Sequence, residues 1–190
     1  GCSGPAGVSR QSKGDSDKQV QTVMSYLRTQ SLPALEKVEK WQHGPHAGVV
    51  LTTKHYRIYA TLLDPLMLSQ IPGFMESDWR GYNRQIPAPV QSSRRFKIYL
   101  FADRQQWEEF TETFAGDQAE LYKKIEAGAY YLKDVCVTYN IGRSRTFSVL
   151  GHEGWHQFNK RYFKYRLPSW LDEGVAMLFE TSKYRDGMFD

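Results

Sequence analysis

Two histidines and a glutamate near residue 150 have the types and the spacing of a metal-dependent hydrolytic site. The segment reads Gly-His-Glu-Gly-Trp-His, with His152 and His156 four positions apart. Apolar residues at helical spacing around it predict a helix, on which positions four apart project from the same face. Both imidazoles can then bind one ion. Glu153, rotated by about 100°, can reach a water molecule on that ion without binding the metal itself.

A third ligand is expected, because a catalytic zinc ion usually has three protein ligands and one position for water. Pro168 and Ser169 predict the start of another helix, and its apolar positions predict a buried one: Trp170, Leu171, Val175, Leu178 and Phe179. A carboxylate on a buried helix is unfavourable unless it is paired or metal-bound. Glu173 is therefore the predicted third ligand, and the alternative is a glutamate favoured by the helix N-terminal dipole.

These two segments together resemble the gluzincins, zinc peptidases in which an H-E-x-x-H helix is followed by a glutamate helix. The run Trp-Leu-Asp-Glu-Gly-Val-Ala is similar to the glutamate helix of aminopeptidases and of small secreted bacterial proteins with peptidase-like domains. The resemblance implies a zincin-like fold and a zinc ion bound by His152, His156 and Glu173. It also implies that Glu153 is the catalytic general base.

The chain differs from related zinc-peptidase patterns at two points, and these differences narrow the class of peptidase that it resembles. A metzincin would have glycine at position 159 and histidine at position 162, where this chain has Asn159 and Tyr162. The spacing from His156 to Glu173 is slightly shorter than is typical of gluzincins, which a shorter loop would absorb.

An acidic residue that grips a free amino terminus is missing from the expected place. Aminopeptidases of this kind carry a Gly-x-Met-Glu-Asn strand, and the comparable residues here read Ala-Gly-Ala-Tyr-Tyr, 127 to 131. We therefore expect an endopeptidase acting on a peptide or protein substrate. The alternative is a non-catalytic binding module of the cell surface that retains the scaffold.

The elements around the motif predict an α+β domain with a small mixed sheet packed against the two closing helices. We expect helices from Lys18 to about Ser31, from Pro65 to about Asn83 with a break at Pro72, and from Asp103 onward, the last burying Trp107, Phe110 and Phe114. Predicted strands are 55–60, 96–101 and 130–139, the last offering an edge for an extended peptide. Ser144 or Thr146 is expected to cap the H-E-x-x-H helix.

Length and charge limit the domain count and the partners. The 190 residues suit one domain, which we place at 18–190 after a flexible tether at 1–17. The net charge of +4 is spread without a block of like charges, so no nucleic-acid partner is expected. No apolar stretch approaches the roughly 20 residues that cross a bilayer.

The two cysteines have different expected roles. Gly1-Cys2-Ser3-Gly4 resembles the processed junction of a bacterial lipoprotein, which predicts a lipid tether through Cys2 and an extracytoplasmic location at the cell envelope. An ordinary, unmodified cysteine is the alternative. Cys136 lies in an apolar stretch and is expected to be a buried, free thiol.

Several other residues near the motif have weaker signals. Glu180 lies on the face of Glu173 and can orient a ligand histidine, although a solvated carboxylate is the simpler expectation. An oxyanion-stabilising tyrosine is expected, with three candidates: Tyr162, Tyr165 and Tyr184. A basic cluster is expected to serve solubility and the helix dipole: Lys160, Arg161, Lys164 and Arg166.

Overall fold

A six-stranded mixed β-sheet forms the centre of the computed structural model, which describes residues 10–91, 94–126, 128–181, 184–185 and 188–189. Its strands are β1 (Lys37–His43), β2 (His46–Thr52), β3 (Tyr56–Ala60), β4 (Phe96–Phe101), β5 (Ala129–Leu132) and β6 (Val135–Tyr139). Their order across the sheet is β1-β2-β3-β4-β6-β5. The pairs β3/β4 and β4/β6 are parallel and the others antiparallel, so the predicted α+β class with a mixed sheet is confirmed.

Helices cover both faces of this sheet. They are α1 (Arg10–Thr29), α2 (Pro65–Arg84), α3 (Arg104–Ala115), α4 (Ala119–Lys123), α5 (Arg143–Tyr162) and α6 (Ser169–Thr181). The larger core joins one sheet face to α1, α2, α5 and α6, and the smaller core joins the other face to α3. A further pair of short strands, β7 (Tyr184–Arg185) and β8 (Met188–Phe189), is antiparallel.

Two predicted helix starts are confirmed by their caps. The Asp64 side chain accepts hydrogen bonds from the amides of Leu66 and Met67, with Pro65 in the first turn. The Asp103 carboxylate accepts from the amide of Gln106, whose side chain donates back to it. Of the predicted stripe on this helix, Trp107 is fully buried while Phe110 and Phe114 are partly buried.

The predicted break at Pro72 is wrong, because α2 runs through it without interruption. Proline removes one helical hydrogen bond and costs about 3 kcal/mol in a helix interior. Leu68, Ile71 and Met75 around it are completely buried, and tertiary burial of an apolar face outweighs such a local preference.

The predicted single strand over 130–139 is a hairpin of β5 and β6. Its turn consists of Lys133 and Asp134, both with positive φ, at 48° and 65°. Two consecutive left-handed residues form the two-residue turn that matches strand twist. β5 therefore lies at the edge of the sheet, as expected for that segment, while β6 lies inside it.

The first helix begins earlier than expected. α1 starts at Arg10, so residues 10–17, assigned to the tether, form its first two turns; Cys2 lies outside the described residues. Val20, Val23 and Leu27 bury the inner face of α1, as their spacing predicts. Within the described residues, no helix combines the length and apolar composition that crossing a bilayer requires.

Candidate metal centre

The three predicted ligands converge at one point between α5 and α6. The Nε2 atoms of His152 and His156 lie 3.2 Å apart. Carboxylate oxygens of Glu173 lie 3.5 Å from the first and 3.6 Å from the second. Ligands bound tetrahedrally to one zinc ion at about 2.1 Å are separated by about 3.4 Å. The three distances therefore match a single divalent ion of that size.

Each imidazole is held from behind by a carboxylate. Nδ1 of His152 lies 3.1 Å from Oε2 of Glu180, and Nδ1 of His156 lies 3.2 Å from Oδ1 of Asp172. An ionised carboxylate can only accept a hydrogen bond, so these contacts require the hydrogen on Nδ1 of each ring, which leaves the lone pair of a neutral ring on Nε2. Two lone pairs and the carboxylate of Glu173 then point at the same place. A cation bound at this point would offset the electrostatic repulsion between the two lone pairs and the carboxylate.

Asp172 holds several parts of α5 at once. Its Oδ1 accepts hydrogen bonds from Nε1 of Trp155 at 2.9 Å and from the side-chain amide of Asn159 at 2.8 Å, besides facing His156. Its side chain is 18% exposed. A largely buried carboxylate needs such donors, and these fix it firmly in place.

Glu153 lies on the same helix beside the three ligands. Burial raises the pKa of Glu153 above its ordinary value, although the neighbouring His156, His152 and Lys160 oppose that rise. It forms no hydrogen bond with other described residues, so its carboxylate is free to bind a water molecule. This position suits a proton acceptor next to a metal-bound water.

The close approach of the helices depends on glycine. A Cβ atom at Gly151 would lie 2.8 Å from the carbonyl oxygen of Phe179 on α6, and one at Gly154 would meet the hydroxyl of Tyr82 on α2. That hydroxyl donates a hydrogen bond to the carbonyl of Gly151 at 2.7 Å. Three helices therefore meet at the residue directly before His152.

The prediction that Ser144 or Thr146 is the N-cap of α5 is wrong. Gly142, with φ 92°, occupies the cap position and provides no side-chain hydrogen bond. Thr146 acts one turn further on, where its hydroxyl accepts from the amide of Ile141 and donates to the carbonyl of Gly142.

The second helix is less buried than its composition predicts. Among its apolar residues, Ala176 and Phe179 are buried, whereas Trp170 and Leu178 are exposed. Glu173 is itself 58% exposed at its side chain. Its convergence with the histidines, rather than the cost of burying a carboxylate, is what supports its assignment as a ligand.

Sequence reasoning missed Asp172 and undervalued Glu180, for which solvation was the simpler expectation. A carboxylate four residues before Ala176 on the buried side of the helix was the available signal for Asp172. Glu180 lies seven positions after Glu173, on the same helix face. The geometry favours the orienting role for Glu180, because its carboxylate faces His152.

The three tyrosine candidates differ in their surroundings. Tyr162 packs among Trp79, Phe96 and Phe158 in the core. Tyr165 is 85% exposed and lines a cavity beside Glu173. The side chain of Tyr184 lies outside the described residues.

The remaining histidines and Cys136 are not part of this group of ligands. His46 faces Glu109, and the buried His55 faces Glu76. Cys136 is free and buried, as expected, and burial raises its pKa well above the ordinary value. Among the described residues, His152, His156 and Glu173 form the one group of three or more potential ligands close enough to bind a common ion.

Comparison of the chain with protein-family models, with curated proteins and with solved structures finds no match.

Proposed function

We propose that the protein is a zinc-dependent peptidase with a zincin-like, gluzincin-type site. The observation that carries the proposal is the convergence of two imidazole lone pairs and the Glu173 carboxylate, with both rings oriented from behind by carboxylates. Nitrogen and oxygen donors at these separations suit zinc. His152, His156 and Glu173 are the proposed ligands.

The proposed chemistry is hydrolysis of an amide bond. A bound zinc ion would lower the pKa of its water from about 15.7 to about 7 and polarise the scissile carbonyl. The Glu153 carboxylate takes the proton from the attacking water and passes it to the departing amide nitrogen. Asp172 and Glu180 keep the two imidazoles in the tautomer with a lone pair on Nε2.

Two features favour an endopeptidase over an aminopeptidase. Residues 128–131, at and before the start of β5, contain no acid that would bind a free amino terminus. β5 lies at the sheet edge, and no other described strand pairs with its outer side. Tyr131 on this strand lies under Lys160 of α5, so β5 lies next to the last turn of the helix that carries His152 and His156. An extended peptide can pair along it.

The test combines metal analysis with peptide digestion. Protein purified without added zinc is expected to contain one zinc ion per chain, and an unbiased peptide library is expected to show chelator-sensitive cleavage. Glu153→Gln is expected to keep the zinc and lose cleavage, while Glu112→Gln, a matched change at an exposed glutamate of α3, keeps both. Bound zinc without any chelator-sensitive cleavage would replace the peptidase with a non-catalytic binding module.

A further inference from the structure

A cavity of about 550 Å³ lies beside the metal centre, between the end of α5 and the start of α6. Asp172 and Glu173 form part of its wall, and the segment joining the two helices forms most of the remainder. This volume is within the range of about 300–1,000 Å³ that is usual for ligand pockets. The cavity is therefore large enough for an amino-acid side chain and part of its backbone.

Three cationic side chains line this cavity: Lys160, Lys164 and Arg166. Lys164 and Arg166 are exposed and form no ion pair within the part of the chain that the structure describes. Lys160 lies over the ring of Tyr131, with its amine 4.5 Å from the ring centroid. The cavity thus has a surplus of positive charge directly beside Glu173.

The fourth basic residue of the cluster has a different role. Arg161 pairs with Asp134, donates to the carbonyl of Arg94 and lies over the ring of Phe96. It fastens α5 to the β5–β6 turn. The cluster is therefore divided, with one cation used in folding and three facing the cavity.

Stabilisation of the helix dipole does not account for all three. Lys160 lies in the last turn of α5, where a cation is favourable. Lys164 and Arg166 lie beyond Phe163, the residue that caps the helix. The dipole effect falls off within the last turn, so it does not account for these two charges, which line the cavity.

Resting on the proposed peptidase function, we propose that this cavity is a substrate subsite that binds a carboxylate of the peptide. Either an acidic side chain or a free C-terminal carboxylate has the required chemistry. Lys164 and Arg166 supply the charge, and the apolar side chains of Phe163 and Leu167, which also line the cavity, can cover the carbon stem.

Direct binding tests this subsite apart from catalysis. The Glu153→Gln protein is titrated against three N-acetylated fluorescent peptides of otherwise equal sequence: one with Glu and an amidated end, one with Gln and a free C-terminal carboxylate, and one with Gln and an amidated end. At least one carboxylate peptide is expected to bind about tenfold more tightly than the neutral peptide, with less advantage at high salt. The peptide that gains affinity identifies the source of the carboxylate.

Variants assign the effect to the cavity. Lys164→Gln combined with Arg166→Gln is expected to reduce the tenfold preference to about one, and Lys164→Glu, which changes the local charge by the same two units, is expected to have a similar effect. Lys40→Gln, at an exposed lysine of β1 on the opposite sheet edge, is expected to keep it. Equal affinity for all three peptides, or a preference unchanged in the double variant, would overturn the proposal. So would tighter, variant-sensitive binding to phosphatidylserine vesicles or to an oligonucleotide.

Cleavage by the wild-type protein separates the two proposals. If the carboxylate preference holds in binding while no peptide is cleaved in the presence of zinc, the peptidase proposal fails and the subsite stands. If all peptides are cleaved equally and bind equally, the subsite fails and the peptidase stands.

Discussion

Oδ1 of Asp172 lies 3.2 Å from Nδ1 of His156, and Asp172 directly precedes Glu173. The first turn of α6 therefore presents one carboxylate to the back of this imidazole and the next carboxylate to its front. The orientation of His156 and the position of Glu173 consequently both depend on how α5 and α6 pack.

Asp172→Asn is expected to weaken zinc binding by about 10- to 100-fold, the usual effect of removing a partner behind a ligand histidine. The amide keeps one oxygen for Trp155 and Asn159 but loses the charge that supports His156. Competition with a zinc-chelating dye measures the affinity. Asp117→Asn, at an exposed position, serves as the control, and equal affinities for the two variants would contradict the proposed role of Asp172.

Zinc is expected to stabilise the fold through the three ligands alone. At a zinc concentration of about 100 times Kd, binding to the native state adds about 2.7 kcal/mol to the free energy of unfolding. Glu173→Gln should lose most of this gain because it removes a charged ligand, while Glu153→Gln should keep it. Thermal unfolding with zinc and with a chelator provides the comparison; loss of the zinc effect in Glu153→Gln would place that residue among the ligands.

Gly151→Ala is expected to destabilise the protein by about 1–3 kcal/mol, as overpacked cores do. Its Cβ would lie 2.8 Å from the Phe179 carbonyl, so α6 must move and zinc affinity should fall. Gly174→Ala is the matched change, since nothing lies within 4 Å of a Cβ there. It should stabilise the helix by about 0.5–1 kcal/mol. Chemical denaturation measures both, and equal effects would refute the close packing at Gly151.

Away from the metal centre, the carboxylate of Glu76 stabilises the turn between β2 and β3. It accepts hydrogen bonds from the Thr53 hydroxyl at 2.6 Å, the His55 amide at 2.8 Å and Nδ1 of His55 at 2.7 Å. Burial raises the pKa of Glu76, but the hydrogen bonds from His55 and Thr53 outweigh it, and the pKa lies below its ordinary value of 4.5.

Glu76→Gln is therefore expected to lower the free energy of unfolding by about 1–3 kcal/mol at neutral pH. A lowered native pKa means that this stabilisation is complete above about pH 4.5 and is lost as the pH falls through the native pKa. The difference between wild type and variant should shrink accordingly in urea titrations at decreasing pH. Glu126→Gln, at an exposed site, should show neither effect, and a pH-independent difference for Glu76→Gln would refute the ionised form.

The sequence predicts that the candidate ligands converge, but it does not predict the carboxylates that orient the two histidines. Helical spacing alone places His152 and His156 on one face, and the expectation that Glu173 would join them agrees with the geometry. Asp172 was missed because its partner lies on another helix, so that its role depends on how α5 and α6 pack. The spacing from Asp172 to Ala176 places the carboxylate on the buried side of α6 but does not identify its partner.

The fold was predicted best where local chemistry decides the structure. The caps at Asp64 and Asp103 and the strand Phe96–Phe101 follow from side-chain hydrogen bonds and alternation. The hairpin of β1 and β2 was missed, although its Gly44-Pro45 turn was a usable signal. The turn at Lys133 and Asp134 lacks the usual Asn-Gly sequence, so the sequence predicts one strand over 130–139 where the structure has β5 and β6.

The close contacts of two glycines on α5 define a sequence pattern that extends beyond the metal ligands. Gly151 is confined by the backbone of Phe179, and Gly154 by the hydroxyl of Tyr82. A distant relative that keeps this three-helix junction must keep small residues at both positions, even if it has lost its ligands. A search pattern of the form G-x-x-G, with a tyrosine upstream and a phenylalanine downstream and with positions 152, 153 and 156 left open, would therefore detect relatives without the ligands that the metal signature alone overlooks.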